Sequence, residues 1–178
     1  MSEIFKILRI LSSGTLALAV IAFGVFAQLQ PAFARGIVLP VAKVTPGAIN
    51  PNVSQSNIQS TICVTGYTKT IRPPSSYTTR LKKSQLAGAY AFYHDRVTGH
   101  FEEDHLISLE LGGSPSDPRN LWPEPYAGSA GARVKDKVEN KLHALVCSGQ
   151  VPLTVAQHAI ASNWYAAYKK YMPIKVKK

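Results

Sequence analysis

Residues 101–113 read FEEDHLISLELGG. The chain of 178 residues carries a net charge of +10, yet three of its ten acidic side chains, Glu102, Glu103 and Asp104, stand together directly before His105. Behind them the pattern alternates, with Leu106, Ser108 and Glu110 on one side and Ile107, Leu109 and Leu111 on the other. That period predicts a half-buried strand. Gly112-Gly113-Ser114-Pro115 then turns the chain. Asn120-Leu121-Trp122 predicts a second short strand, ended by Pro123 and Pro125.

A helix should follow. Val134, Val138, Leu142, Leu145 and Val146 fall on one third of a helical wheel, and Cys147 and Gly149 close it. Thr154 and Gln157 have the spacing of a capping box for a last helix, whose Ile160, Trp164, Tyr168 and Met172 make an aromatic stripe read as core packing. Upstream, TICVTGYTKTIRPP (61–74) is rich in Thr, Ile and Tyr and predicts a short strand or hairpin. Thr78 or Thr79 is a candidate cap for a helix over Leu81, Leu86 and Tyr90. Residues 35–60 hold Pro40, Pro46, Gly47 and Pro51 with no sustained period, so they predict an extended leader, flexible or lying along the surface. The division expected is a signal peptide over 1–34, the leader over 35–60, one domain over 61–173 and a basic tail over 174–178.

The signal-peptide reading rests on Lys6 and Arg9, an apolar run over residues 10–27, and Ala32-Phe33-Ala34 as a small-x-small cleavage pattern. A retained membrane anchor is the other reading of that run, which is near the lower length limit for a span. Cleavage after Ala34 implies a secreted or periplasmic protein with no stable membrane association. In an oxidising compartment Cys63 and Cys147, the two cysteines of the chain, predict one disulfide. It would close a loop of roughly 85 residues, worth on the order of 4 kcal/mol in the chain-entropy model. Without Lys6, Arg9 and Glu3, the 20 basic and 10 acidic residues become 18 and 9, a balance of +9. Such a surface attracts polyanions, nucleic acid among them, or serves solubility.

Asp104-His105, Asn120 and the charged helix VKDKVENKLH (134–143) together resemble the HNH, or ββα-metal, nuclease superfamily. The nearer resemblance is to secreted bacterial HNH-like proteins with a core of the form DHLIxLELGG…NLWPEP…KDxxEN, matched here from Asp104 to Asn140 and more loosely from Cys63 to Trp164. The resemblance implies a small α+β domain built on a ββα-metal core, a β-hairpin plus helix, with additional helices. It implies hydrolysis of nucleic-acid phosphodiesters with low sequence specificity, the substrate being DNA, RNA or both; the sequence points to no protein partner.

Phosphodiester hydrolysis needs an activated water and a charge to stabilise the transition state. His105 is the candidate general base, because its ordinary pKa suits proton abstraction near pH 7. Asp104 is the candidate ligand for one hard divalent cation, Mg²⁺ or else Mn²⁺. The resemblance gives Asn120 the task of orienting the His105 ring. It also puts an Asn in the helix as second metal ligand. The connection before this helix, PEPYAGSAGAR, is longer than in common HNH proteins, and the usual final His is missing. Asn140 and Glu139 therefore share that assignment, with Asp136 third. Lys135, Lys137 and Lys141 are read as a phosphate-facing or solvated face, and Arg72 as a phosphate contact or a packing residue. A non-catalytic polyanion-binding protein on the same scaffold is the alternative function.

Overall fold

The computed structural model describes residues 36–177. The signal-peptide region, up to residue 35, lies outside them, as does Lys178. Strands β1 (Phe101–His105) and β2 (Leu121–Pro125) pair antiparallel, with Glu102 opposite Glu124, Asp104 opposite Trp122 and His105 opposite Leu121. Pro123 and Pro125 lack a donor, yet they do not break the pairing. The ladder bonds run from Leu106 N to Asn120 O (2.8 Å) and from Tyr126 N to His100 O (3.0 Å). Counting by twos from either bond places Glu102–Glu124 and Asp104–Trp122 at the hydrogen-bonded positions. The prolines fall on the alternate positions, where no N–H is required.

The first strand ends earlier than the alternation in HLISLEL predicts. It stops at His105, and Leu109–Leu111 form a 3₁₀ turn. Leu106, Ile107, Leu109 and Leu111 are all buried, so neither side of this stretch faces water and the period of two does not report a sheet face. The Asn120 side chain takes the place of the ladder. Its Oδ1 accepts from Ile107 N at 3.0 Å, and its Nδ2 donates to Ile107 O and Ser114 O, both at 3.0 Å. The loop closes so tightly that a Cβ at Gly113 would lie 1.7 Å from the Ile107 carbonyl oxygen.

Among the described residues four α-helices surround the hairpin: α1 (Tyr67–Ile71), α2 (Ser75–Ala87), α3 (Ala132–Cys147) and α4 (Leu153–Tyr171). Helix α3 has the buried face expected of it, with Val138, Leu142, Leu145 and Val146 fully enclosed. It packs on α4 through Ile160 and Trp164. Helix α2 covers the other side of the hairpin, where Leu86, Tyr90, Tyr93, Phe101, Leu106 and Trp122 form a second cluster. The result is a small α+β domain.

Three local expectations are corrected. Residues 61–74 form turns and α1, not a strand, because Gly66 takes a left-handed conformation (φ 87°) that starts a helix. Helix α2 begins at Ser75 behind Pro74, with no side-chain cap from Thr78 or Thr79. The Thr154–Gln157 capping box does not form, because Gln157 Nε2 donates to Leu111 O at 2.9 Å instead. The leader lies along the domain and contributes to its interior: Thr45 Oγ1 meets Tyr90 OH at 2.7 Å, Asn50 N donates to Gly112 O at 2.8 Å, and Val53 and Ile58 are buried. Cys63 and Cys147 form the expected disulfide. Among the described residues no helix is long and apolar enough to cross a membrane.

Candidate active site

Strand pairing and helix α3 bring together Asp104, His105, Asp136, Glu139 and Asn140, but Asn120 does not line their cleft. Glu102, Asp104 and His105 from β1, Glu110 from the loop after it, and Asp136, Glu139 and Asn140 from α3 line one polar cleft of about 180 Å³, with Arg72 and Thr68 on its rim. A second cleft shares Arg72, Glu102 and His105 and adds Ser75, Thr78, Thr79 and Lys82 from α2. Arg72 is exposed, which favours its reading as an anion contact over a packing role.

His105 is 3% exposed. Its Nε2 lies 2.8 Å from the carbonyl oxygen of Pro115. A carbonyl can only accept, so Nε2 carries the proton and, in the neutral ring, Nδ1 holds the lone pair. Burial pushes the His105 pKa down, with Asp104 opposing and Lys135 and Arg72 adding to the drop. The ring is therefore neutral at pH 7 and able to accept a proton. The tautomer is thus set by Pro115. Asn120 makes no bond to the ring and acts one step away, by clamping the loop that carries Ser114 into Pro115.

Sequence reading missed the centre of the site. Lys135, expected on a solvated or phosphate-facing side of α3, is 0% exposed. Its ammonium donates to Asp104 Oδ2 at 2.6 Å, to His105 O at 2.8 Å and to Glu139 Oε1, with Glu124 Oε2 at 3.7 Å. The signal was present: Lys135 precedes Val138 by three positions and Leu142 by seven, so it lies on the buried stripe. Lys137 is exposed as expected, and Lys141 Nζ donates to Ile174 O at 2.9 Å. Glu124, inside the NLWPEP segment, was also given no role, although the register puts it directly opposite Glu102.

Four ionisable groups in so small a volume cannot all be charged cheaply. Burial alone would lower the Lys135 pKa, but Asp104, Glu139 and Glu124 hold it well above the ordinary lysine value. Burial would raise Asp104, but Lys135 and then His105 keep it below the usual carboxylate range. Burial pushes Glu124 well up and Glu139 up to about 8, Lys135 opposing in both cases. Lys135 and Asp104 are the pair whose charged forms the surroundings favour, while burial favours the neutral forms of Glu124 and Glu139. This explains Glu124, whose two carboxyl oxygens are buried without any N–H or O–H donor. The acidic run before His105 is made tolerable by a buried lysine and by retained protons.

The expected metal ligands are placed unequally. Asp104 and Glu139 lie on either side of Lys135, and each spends one oxygen on it. Asn140 is exposed and its Nδ2 donates to Asp136 O at 2.8 Å. No three of the cleft's carboxylate or imidazole donor atoms lie within 4.8 Å of one another. Among the described residues the set that does is Cys63, His143 and Cys147. The cleft donors are hard oxygens, and Glu102 Oε2 is buried there with no hydrogen-bond partner. Comparison with protein-family models, with curated proteins and with solved structures found no match in any of the three.

Proposed function

We propose that the cleft hydrolyses phosphodiesters of nucleic acid, on a core of the ββα-metal kind made by β1, β2 and α3. The observation that carries this reading is His105, a neutral imidazole whose Nε2–H is held by Pro115 O while Nδ1 stays free to take a proton at a polar cleft. In the reaction His105 Nδ1 removes a proton from water as that water attacks phosphorus, the P–O bond to the leaving oxygen breaks, and that oxygen takes a proton from solvent. Asp104 holds the imidazolium that forms, since it already raises the His105 pKa against the effect of burial. Lys135 fixes both the Asp104 carboxylate and the His105 backbone, so the base cannot drift. Arg72 stands at the junction of the two clefts to receive the phosphate.

A divalent cation, when bound, would neutralise charge on the phosphoryl oxygens and the leaving group. Asp104 and Glu139 would hold it through the oxygens not bonded to Lys135, with Asn140 the other ligand candidate. A cation is also what reconciles five cleft carboxyls with an anionic substrate. The chain's excess of positive charge supports attraction to the backbone without sequence reading.

The test is conversion of supercoiled plasmid, and of a fluorogenic RNA, by the oxidised protein with Mg²⁺, Mn²⁺ or EDTA. Cleavage that EDTA abolishes supports the reading. Absence of cleavage of either polymer across the divalent ions rejects it in favour of a non-catalytic polyanion-binding protein.

A further inference from the structure

The opposite end of α3 holds a different constellation. Cys147 is covalently joined to Cys63, and His143 lies one helical turn before Cys147, on the same face. One ring nitrogen of His143 and the two sulfurs all lie within 4.8 Å of one another. His143 Nε2 lies 2.9 Å from the carbonyl oxygen of Ile62, so it carries the proton and leaves Nδ1 as the free nitrogen. Glu110 Oε2 sits 3.6 Å from that Nδ1. All four side chains are partly exposed.

While the bridge stands, its sulfurs are poor metal ligands, because the thiolate is the form that binds. We propose that reduction of the Cys63–Cys147 bridge opens a site for a thiophilic divalent cation of the Zn²⁺ kind, held by the two sulfurs and a ring nitrogen of His143, with solvent as the fourth ligand. Two sulfurs and an imidazole are ligands that tetrahedral Zn²⁺ takes. The Nε2–H to Ile62 contact is the backbone-carbonyl arrangement that orients metal-bound histidines. In the step, a dithiol reductant passes two electrons and two protons to the bridge. The S–S bond breaks, two thiols form, and the reductant leaves as its own disulfide. Zn²⁺ binding then displaces the two thiol protons to solvent. The cation thereby replaces the covalent tie between the segment before α1 and the end of α3. The inference does not depend on nuclease activity.

The experiment titrates Co²⁺ into three samples: the oxidised protein, the same protein reduced by a dithiol and freed of it under argon, and Cys63→Ser/Cys147→Ser. Only the reduced protein should give thiolate-to-cobalt charge transfer and the intense visible bands of tetrahedral cobalt, at one ion per chain, and Zn²⁺ should displace them. Reduced His143→Ala should lose the tetrahedral bands. The idea is overturned if the reduced protein takes up no more Co²⁺ than the oxidised one, if the double Ser variant binds equally, or if His143→Ala keeps the same spectrum and affinity. Unfolding on reduction, seen by circular dichroism and not reversed by Zn²⁺, overturns it as well.

Discussion

Helix α3 buries Lys135 and Glu139 in its first turns and Leu142, Leu145 and Val146 in its last ones. The apolar end is joined to the rest of the domain by a disulfide and gains roughly 1.5–3 kcal/mol for each large side chain removed from water. The charged end must first offset the desolvation of an ammonium and three carboxyls, and pairs of this kind are often replaceable by apolar residues without loss of stability. One helix thus carries a stretch whose composition stabilises the fold and another whose composition does little for it. The second stretch is where the cleft and His105 are. Its charges are better explained by what they do to Asp104 and His105 than by what they contribute to folding.

The largest expected effect lies at the apolar end. Cys63→Ser/Cys147→Ser should lower stability by about 4–5 kcal/mol, read by denaturant unfolding, because a crosslink spanning 84 positions is lost. A loss under about 1 kcal/mol would remove the distinction between the two ends. Next comes Lys135→Ala, which leaves Asp104, Glu124 and Glu139 without their cation and should cost about 3–5 kcal/mol. Lys135→Met together with Asp104→Asn and Glu139→Gln should recover most of that cost and none of the activity. If the triple variant is as unstable as Lys135→Ala, the charges are structural after all.

A smaller effect sharpens the comparison by pH. Glu103 is pushed up to about 8 by burial, with Lys82 opposing, and both its carboxyl oxygens are buried without partners. The folded protein holds this proton up to about pH 8, whereas the unfolded chain releases it near the ordinary 4.5. Its contribution to stability therefore falls as pH rises between those values. Glu103→Gln should match the wild type in melting temperature below pH 4.5 and melt progressively higher above it, the gap being complete past pH 8. A gap that is constant with pH would mean that Glu103 does not titrate so high. The smallest effect belongs to Arg133→Ala on the exposed side of α3. It breaks an ion pair to Asp136 between groups that are 72% and 37% exposed, and the melting temperature should not move measurably.

The apolar end of α3 was legible in the sequence because Val138, Leu142, Leu145 and Val146 obey a helical period, and the disulfide because two cysteines had no better use. The hairpin was half legible. Leu121-Trp122 marks β2, but the period of two in HLISLEL is equally the signature of a loop buried on all sides, and only the bonds of Asn120 tell the two apart. Lys135 shows why the charged end was misread. Its type says surface while its position, in phase with Val138 and Leu142, says core, and single-residue type outweighed phase. Asn120, expected to orient the His105 ring, instead bonds the loop backbone and leaves the ring to Pro115 O, a main-chain contact that no side-chain pattern encodes.

The proposed chemistry depends on His105, and the most direct measurement compares its Ala variant with the wild type in the same cleavage assay, at equal folded concentration verified by circular dichroism. With His105 as general base, His105→Ala should cut nucleic acid ~10²–10⁴-fold more slowly and keep the wild-type secondary structure. Cleavage by the variant at the wild-type rate would contradict the assignment, and with it the claim that the charged end of α3 exists to hold this base.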